Sequence, residues 1–294
     1  MKAEQITDPI AYHGEGPVWC ETWSDPARAA GAGTPAPTWA GLRWVDMLAG
    51  DVLSLRESGV SRTHVGEVAA AVRPRTAGGA VIGVERGFAL EAPDGEVTAL
   101  PPLWASPEVR MNEGGCAPDG TFWCGSMAYD QAPGAARLYR LDPDGGVALV
   151  LDAVTVSNGL EWSPDGSLLY YNDTATGQIA VFDYEPPRRL GPRRVLADVP
   201  GSPDGMAVDA EGAVWTALAD RGEIRRYLPD GTLDGIVEVP AQKTTACAFG
   251  GEGLRTLFIT TSQEDIDTEA DPLAGALFAA EVGVAGRPVR SFAG

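Results

Sequence analysis

Polar turns containing glycine alternate with short apolar, aromatic-rich runs along most of the chain. Three segments repeat this pattern: Pro118-Asp119-Gly120-Thr121-Phe122-Trp123, Pro164-Asp165-Gly166-Ser167-Leu168-Leu169-Tyr170 and Asp209-Ala210-Glu211-Gly212-Ala213-Val214-Trp215. Their glycines, Gly120, Gly166 and Gly212, stand 46 residues apart. A weaker copy begins at Gly251 and ends at Phe258. A second set of turns, Pro93-Asp94-Gly95, Pro143-Asp144-Gly145 and Pro229-Asp230-Gly231, falls between them. Proline presets the first turn dihedral and glycine accepts positive φ, so both sets predict hairpins. Two hairpins per 46 residues predict four short strands per unit, and 294 residues hold about six units. Amphipathic helical periodicity is scarce. The pattern therefore predicts an all-β chain, a six-bladed β-propeller with four-stranded antiparallel blades, spanning 1–294 as one domain. A β-sandwich would leave the fixed period unexplained. Thr22 to Thr38, rich in Ala, Gly and Pro, breaks the pattern and predicts an insertion loop (22–38) in the first blade.

Polar residues recur in the same register. Asn112, Asn158 and Asp204 precede the three repeated turns and are themselves 46 residues apart. Ser157-Asn158-Gly159-Leu160 aligns with Pro203-Asp204-Gly205-Met206, and Gly14-Glu15-Gly16-Pro17-Val18-Trp19 has the same shape near the N-terminus. In a propeller such positions converge on the axis. Glu15, Asn158 and Asp204 would then bring two carboxylates and an amide oxygen together, which repel unless a cation or proton sits between them. Oxygen donors suit a hard divalent cation, with Ca²⁺ the first expectation and Mn²⁺, Mg²⁺ or Zn²⁺ as alternatives. The competing reading is that Asn-Gly and Asp-Gly simply form turns. Arg110, two residues before Asn112, shares its strand face; it would orient a substrate oxygen or pair with a carboxylate of the metal site.

Composition narrows the chemistry. The formal charge is −19, from 22 basic and 41 acidic residues, which disfavours nucleic acid as a partner. No apolar run is long enough for a transmembrane helix, and the N-terminus lacks a signal-peptide pattern, so the expectation is a cytoplasmic protein with no membrane partner. Two histidines, His13 and His64, exclude a three-His zinc site within the chain. The four cysteines form no Cys-x-x-Cys pair and are expected to be reduced. A Gly-x-Ser-x-Gly elbow, a P-loop and a Gly-x-Gly-x-x-Gly motif are all absent from the sequence.

Together, Gly14 to Trp19, Arg110-Met111-Asn112-Glu113-Gly114, Phe122 to Met127, Ser157 to Ser163, Pro203 to Met206, Lys243 to Gly251 and Ala274 to Phe278 resemble the senescence marker protein-30 (regucalcin) and gluconolactonase family. The resemblance runs from about Glu15 to Phe292. It implies a six-bladed propeller holding one divalent cation through Glu15, Asn158 and Asp204. It also implies substrate contacts from Arg110, Asn112 and Asp130, and hydrolysis of a sugar (aldono-) lactone, the small-molecule partner, to its sugar acid. Asp204 is the candidate catalytic base. The sequence departs from the family at Glu113, where aspartate is usual, at Ala117, which replaces an aspartate, and in the 22–38 insertion. These departures bear on metal affinity, on water handling near Asn112 and on access. The alternatives are a metal-dependent esterase or phosphotriesterase on the same scaffold, and a non-catalytic calcium-binding propeller.

Overall fold

The computed structural model describes residues 1–23, 41–56, 58–186 and 189–294, and resolves them into six antiparallel sheets. Blade I comprises Gly14–Trp19, Leu42–Asp46, Asp51–Arg56 and Gly59–His64, and blade II Ala69–Pro74, Ala80–Val84, Gly87–Glu91 and Val97–Ala99. Blade III comprises Val109–Cys116, Phe122–Ala128, Ala136–Leu141 and Val147–Val154. Blade IV comprises Ser157–Trp162, Leu168–Asp173, Gln178–Glu185 and Arg194–Asp198, with the two-residue strand Arg189–Leu190 added at its edge. Blade V runs through Pro203–Val208, Val214–Leu218, Glu223–Tyr227 and Leu233–Glu238. Blade VI takes Thr244–Gly250, Thr256–Thr261 and Phe278–Glu281 from the C-terminal part of the chain and Glu4–Gln5 from the N-terminus, through Glu4↔Ala279 and Gln5↔Phe278. The first strand of each blade meets that of the next, and those of blades VI and I meet to close the ring. This is the six-bladed propeller the repeat predicts.

Burial falls outward across each blade. The first strands are almost wholly buried, whereas the last strand of blade I, Gly59–His64, is largely exposed. Ala69, Ala70 and Ala71 on the first strand of blade II are fully buried. The aromatic residues of the repeated runs fill the wedges between blades. Trp123 of blade III packs edge-on against Trp162 of blade IV at 5.4 Å between ring centroids, and Trp215 of blade V against Phe249 of blade VI at 5.7 Å. Trp19 of blade I stacks on Phe258 of blade VI at 5.8 Å. Such pairs contribute beyond the area they bury. Both predicted sets of turns are hairpins: Gly120 (φ 80°) and Gly145 (φ 88°) adopt positive φ, and Asp119 and Asp144 accept backbone N–H bonds from Thr121 and Gly146.

Every first strand carries a β-bulge near its start. The register shifts between Glu15 and Val18, Ala69 and Ala71, Met111 and Gly114, Ser157 and Leu160, Pro203 and Met206, and Thr244 and Ala246. A bulge inserts one unpaired residue and re-aims side chains. Asn112, Asn158 and Asp204 all sit in these bulges, and Glu15 stands immediately before one. Asn158-Gly159 and Asp204-Gly205 are therefore strand residues rather than turns. Their glycines have a different cause: a Cβ on Gly159 would lie 2.6 Å from the carbonyl oxygen of Asp204, and one on Gly205 would lie 2.4 Å from the Cβ of Ala246. Neighbouring inner strands approach too closely for any side chain there.

The first strands begin at one mouth of the channel. At the far end, the segment after Glu281 crosses from blades V and VI to blades II and III. Ala210 donates to Ala285 O and Gly286 to Leu254 O, and Phe292 donates to Pro74 O. Arg290 meets Glu161 at 2.9 Å, and Arg287 donates to Trp162 O at 2.7 Å. The roots of the 22–38 insertion also lie at this far end, where Cys20 N–H bonds Gly41 O and Trp23 Nε1 bonds Gly79 O. Residues 24–38 lie outside the described residues. All four cysteines are free thiols. Among the described residues no helix is long and apolar enough to cross a membrane.

The close approach at Gly159 has a measurable consequence. Gly159→Ala overpacks blades IV and V and is expected to destabilise the fold by about 1–3 kcal/mol in urea unfolding. An unchanged unfolding midpoint would show that the strands can separate without cost.

Candidate active site

The bulges bring Glu15, Arg110, Asn112, Asn158 and Asp204 to one cavity of about 400 Å³ at the mouth of the channel. His13, Tyr129, Gln131, Thr174, Lys243 and Glu264 also line it. Towards the far end, a cavity of about 70 Å³ is lined by residues that include Gly16, Arg73, Glu113 and Arg287.

A hydrogen-bond relay across three blades fixes the two amides. Thr174 Oγ1 donates to Pro203 O at 2.8 Å, so it must accept from Asn158 Nδ2, also at 2.8 Å. That orients Asn158 Oδ1 towards Asn112, whose Nδ2 donates to it at 3.0 Å and to Ser157 O at 2.8 Å. Asn112 Oδ1 in turn accepts from Arg110 Nη1 at 2.6 Å. Asn158 Oδ1 keeps a second lone pair for another ligand. Arg110 is buried, with Nη1 also on Met47 Sδ and Met111 O, and its guanidinium lies 5.7 Å from the Tyr129 ring centre. Among the described residues it makes no direct ion pair with a carboxylate, while Glu264, Glu15 and Asp204 favour its charge through space.

The carboxylates are poised differently. Glu15 and Asp204 are both buried, and burial pushes both well above the ordinary carboxylate range, reinforced by repulsion from Asp204 on Glu15 and from Glu113 on both. Glu15 Oε2 accepts the Gly16 N–H at 3.0 Å. Asp204 Oδ1 is buried without a partner, and so is Arg110 Nε. A buried acceptor left open beside a second carboxylate is costly unless a cation or proton fills the gap. Two carboxylates and an amide oxygen fit a hard divalent cation. No group of three His, Cys, Asp or Glu that could hold a metal comes together among the described residues.

Other predicted positions fall elsewhere. Asp130 is exposed and accepts the Ala132 N–H at 3.0 Å; its neighbour Gln131, at φ 55°, lines the cavity instead. Glu113 points down the channel, where its Oε1 bonds Gly114 N–H and Arg73. Ala117 belongs to the far-end turn and packs with Trp123 and Trp162, away from Asn112. Sequence reasoning gave no role to Thr174, His13, Lys243 or Glu264. None of these lies on the 46-residue register, so the repeat carried no signal for them.

The fold and site define a six-bladed propeller with an oxygen-rich centre at one mouth of its channel. The chain belongs to the SMP-30/Gluconolactonase/LRE-like region family, whose model matches residues 13–263. It is 33% identical to a regucalcin of Danio rerio, over 100% of this chain and 99% of that protein. It is 35% identical to a 6-deoxy-6-sulfogluconolactonase of Pseudomonas putida, over 86% and 91% of the respective chains. The solved structure of a regucalcin from Agrobacterium tumefaciens, described as a calcium-binding protein, superposes with a TM-score of 0.84 at 26% identity, covering 97% of this chain and 95% of that one.

The raised carboxylates have a signed effect on stability. A carboxyl whose folded pKa lies above its unfolded value costs the fold progressively more as pH rises between the two. In chelator, Asp204→Asn is therefore expected to be more stable than the parent at about pH 8, with the gap closing towards about pH 4. Thermal melts across that range check this; a variant less stable than the parent throughout would contradict it.

Proposed function

We propose that this chain is a metal-dependent lactonase that opens a sugar lactone to the corresponding sugar acid. The observation that carries the reading is the unpartnered, buried Asp204 Oδ1, which shares a cavity with Glu15, Asn158 and the Arg110 guanidinium. Family membership and the lactonase among the relatives support it.

Glu15, Asn158 and Asp204 would hold the cation, with Ca²⁺ the first candidate. When bound, it supplies Lewis-acid polarisation of the lactone carbonyl and acidification of a water. Asn112, fixed between Arg110 and Asn158, orients the substrate together with Arg110, which lowers the entropic part of the barrier. Asp204 takes the proton of the attacking water. The water oxygen bonds the acyl carbon, the ring C–O bond breaks, and the proton returns to the departing ring oxygen, leaving a hydroxy acid. A cation beside Asp204 weakens it as a base, so the role requires that the attacking water be acidified as well. Asp130, whose Oδ1 accepts the Ala132 N–H, would meet the substrate through its other carboxylate oxygen.

A second reading, a calcium-binding propeller without turnover, draws on the description of the Agrobacterium relative. One experiment separates the two. Chelated protein is assayed with a pH indicator on D-glucono-1,5-lactone and a set of γ-lactones, with Ca²⁺, Mn²⁺, Mg²⁺ or Zn²⁺ restored in turn. Metal-restored turnover above the spontaneous rate is expected, with Asp204→Asn lowering kcat by about 10²-fold or more. Metal uptake without turnover on any lactone would select the calcium-binding reading, and full activity in Asp204→Asn would remove Asp204 from the mechanism.

A further inference from the structure

The wall of the cavity formed by blades VI and I carries a second polar group that the proposed mechanism does not use. Lys243 immediately precedes the first strand of blade VI, and Glu264 lies in the loop after its second strand. Lys243 Nζ donates to Glu264 Oε2 and to Glu264 O, each at 2.9 Å. His13 Nδ1 lies 3.4 Å from the same Oε2 and 2.7 Å from Ser262 Oγ, which also accepts the Glu264 N–H at 3.0 Å. The side chains of Lys243 and Glu264 retain 18% and 29% exposure, and both face the cavity that holds Asp204 and Arg110.

A partly buried ion pair of this kind is a weak stability device, because desolvation offsets its attraction. Its shape suits recognition instead. An ammonium has three donors, of which Glu264 takes two, and a carboxylate has about four acceptor sites, so the pair offers a donor beside an acceptor. Two adjacent hydroxyls match that pattern, one donating to the carboxylate and the other accepting from the ammonium. The pair lies across the cavity from the Arg110 and Asn112 side, where the reacting carbonyl would be oriented.

We infer that Lys243 and Glu264 form a specificity-determining clamp for a vicinal diol on the lactone ring, deepening the lactonase reading on which the inference rests. The anchoring of Glu264 by Lys243 and Ser262 presets the clamp and limits the entropy lost on binding. A site built to bond hydroxyls discriminates strongly against an analogue that lacks them, because its polar groups are left unpaired.

The test compares D-glucono-1,5-lactone with δ-valerolactone, which has no ring hydroxyls, using full-length metal-loaded protein. The wild type is expected to favour the hydroxylated lactone, and Glu264→Gln to lower the ratio of the two kcat/KM values by about tenfold or more, consistent with losing a hydrogen bond to a charged group. Lys243→Gln is expected to shift the ratio in the same direction, and it carries the test if Glu264→Gln is too unstable to assay. Bound metal per chain and melting temperature are measured alongside, so that a structural role is recognised. An unchanged ratio, or a proportional loss on both lactones, overturns the clamp alone. No turnover of either lactone by the metal-loaded wild type overturns the lactonase reading and the clamp together.

Discussion

Six inner strands packed around one axis approach so closely at defined points that no Cβ fits there, and much of the molecule follows from that constraint. Backbone approaches backbone closely enough to require glycine at Gly159 and Gly205. The same crowding is met by one extra residue in every inner strand, and these bulges turn the polar side chains towards the mouth. The aromatic wedges between blades hold the strands at this separation. The terminal strand Glu4–Gln5 completes blade VI and fastens the ring.

Convergence on an axis also concentrates charge. Glu15 and Asp204 are buried together with Glu113 near enough to repel both, an arrangement that weakens the fold unless a cation or proton offsets it. The neutral relay from Arg110 through Asn112 and Asn158 to Thr174 then has a clear physical role. It sets Asn158 Oδ1 towards Asn112 with a lone pair to spare, and it holds the guanidinium against Asn112 Oδ1 within the same cavity. The C-terminal segment crosses the opposite end of the channel from the cavity that holds these residues.

Much of this was legible in the chain. The period of 46 residues, with two turn signatures per period, determined the blade architecture, because hairpin chemistry is local and each blade repeats it. The same period identified Asn112, Asn158 and Asp204 as equivalent, and residues equivalent in a closed ring must share a mouth. Glu15 was found by the shape of its motif, although it stands one place before its bulge rather than inside it. The local signal misled where it was taken alone: Asn-Gly and Asp-Gly read as possible turns but are strand residues whose glycines answer to a neighbouring blade. Asp130, placed in the site through resemblance, stands between the cavity-lining Tyr129 and Gln131 and accepts the Ala132 N–H through Oδ1.

The sequence by itself therefore determined the all-β repeat, the number of blades and the residues carried on the repeat, since each of these depends on contacts between near neighbours in the chain. The tertiary structure decided what lies off the repeat. Thr174, His13, Lys243 and Glu264 reach the cavity from connections between strands, where no periodicity constrains them. Their partners are as distant in sequence as His13 and Ser262. The orientation of the Asn112 and Asn158 amides was likewise settled only by the packing of neighbouring blades. It depends on hydrogen bonds that join blades III, IV and V and form only when those blades meet.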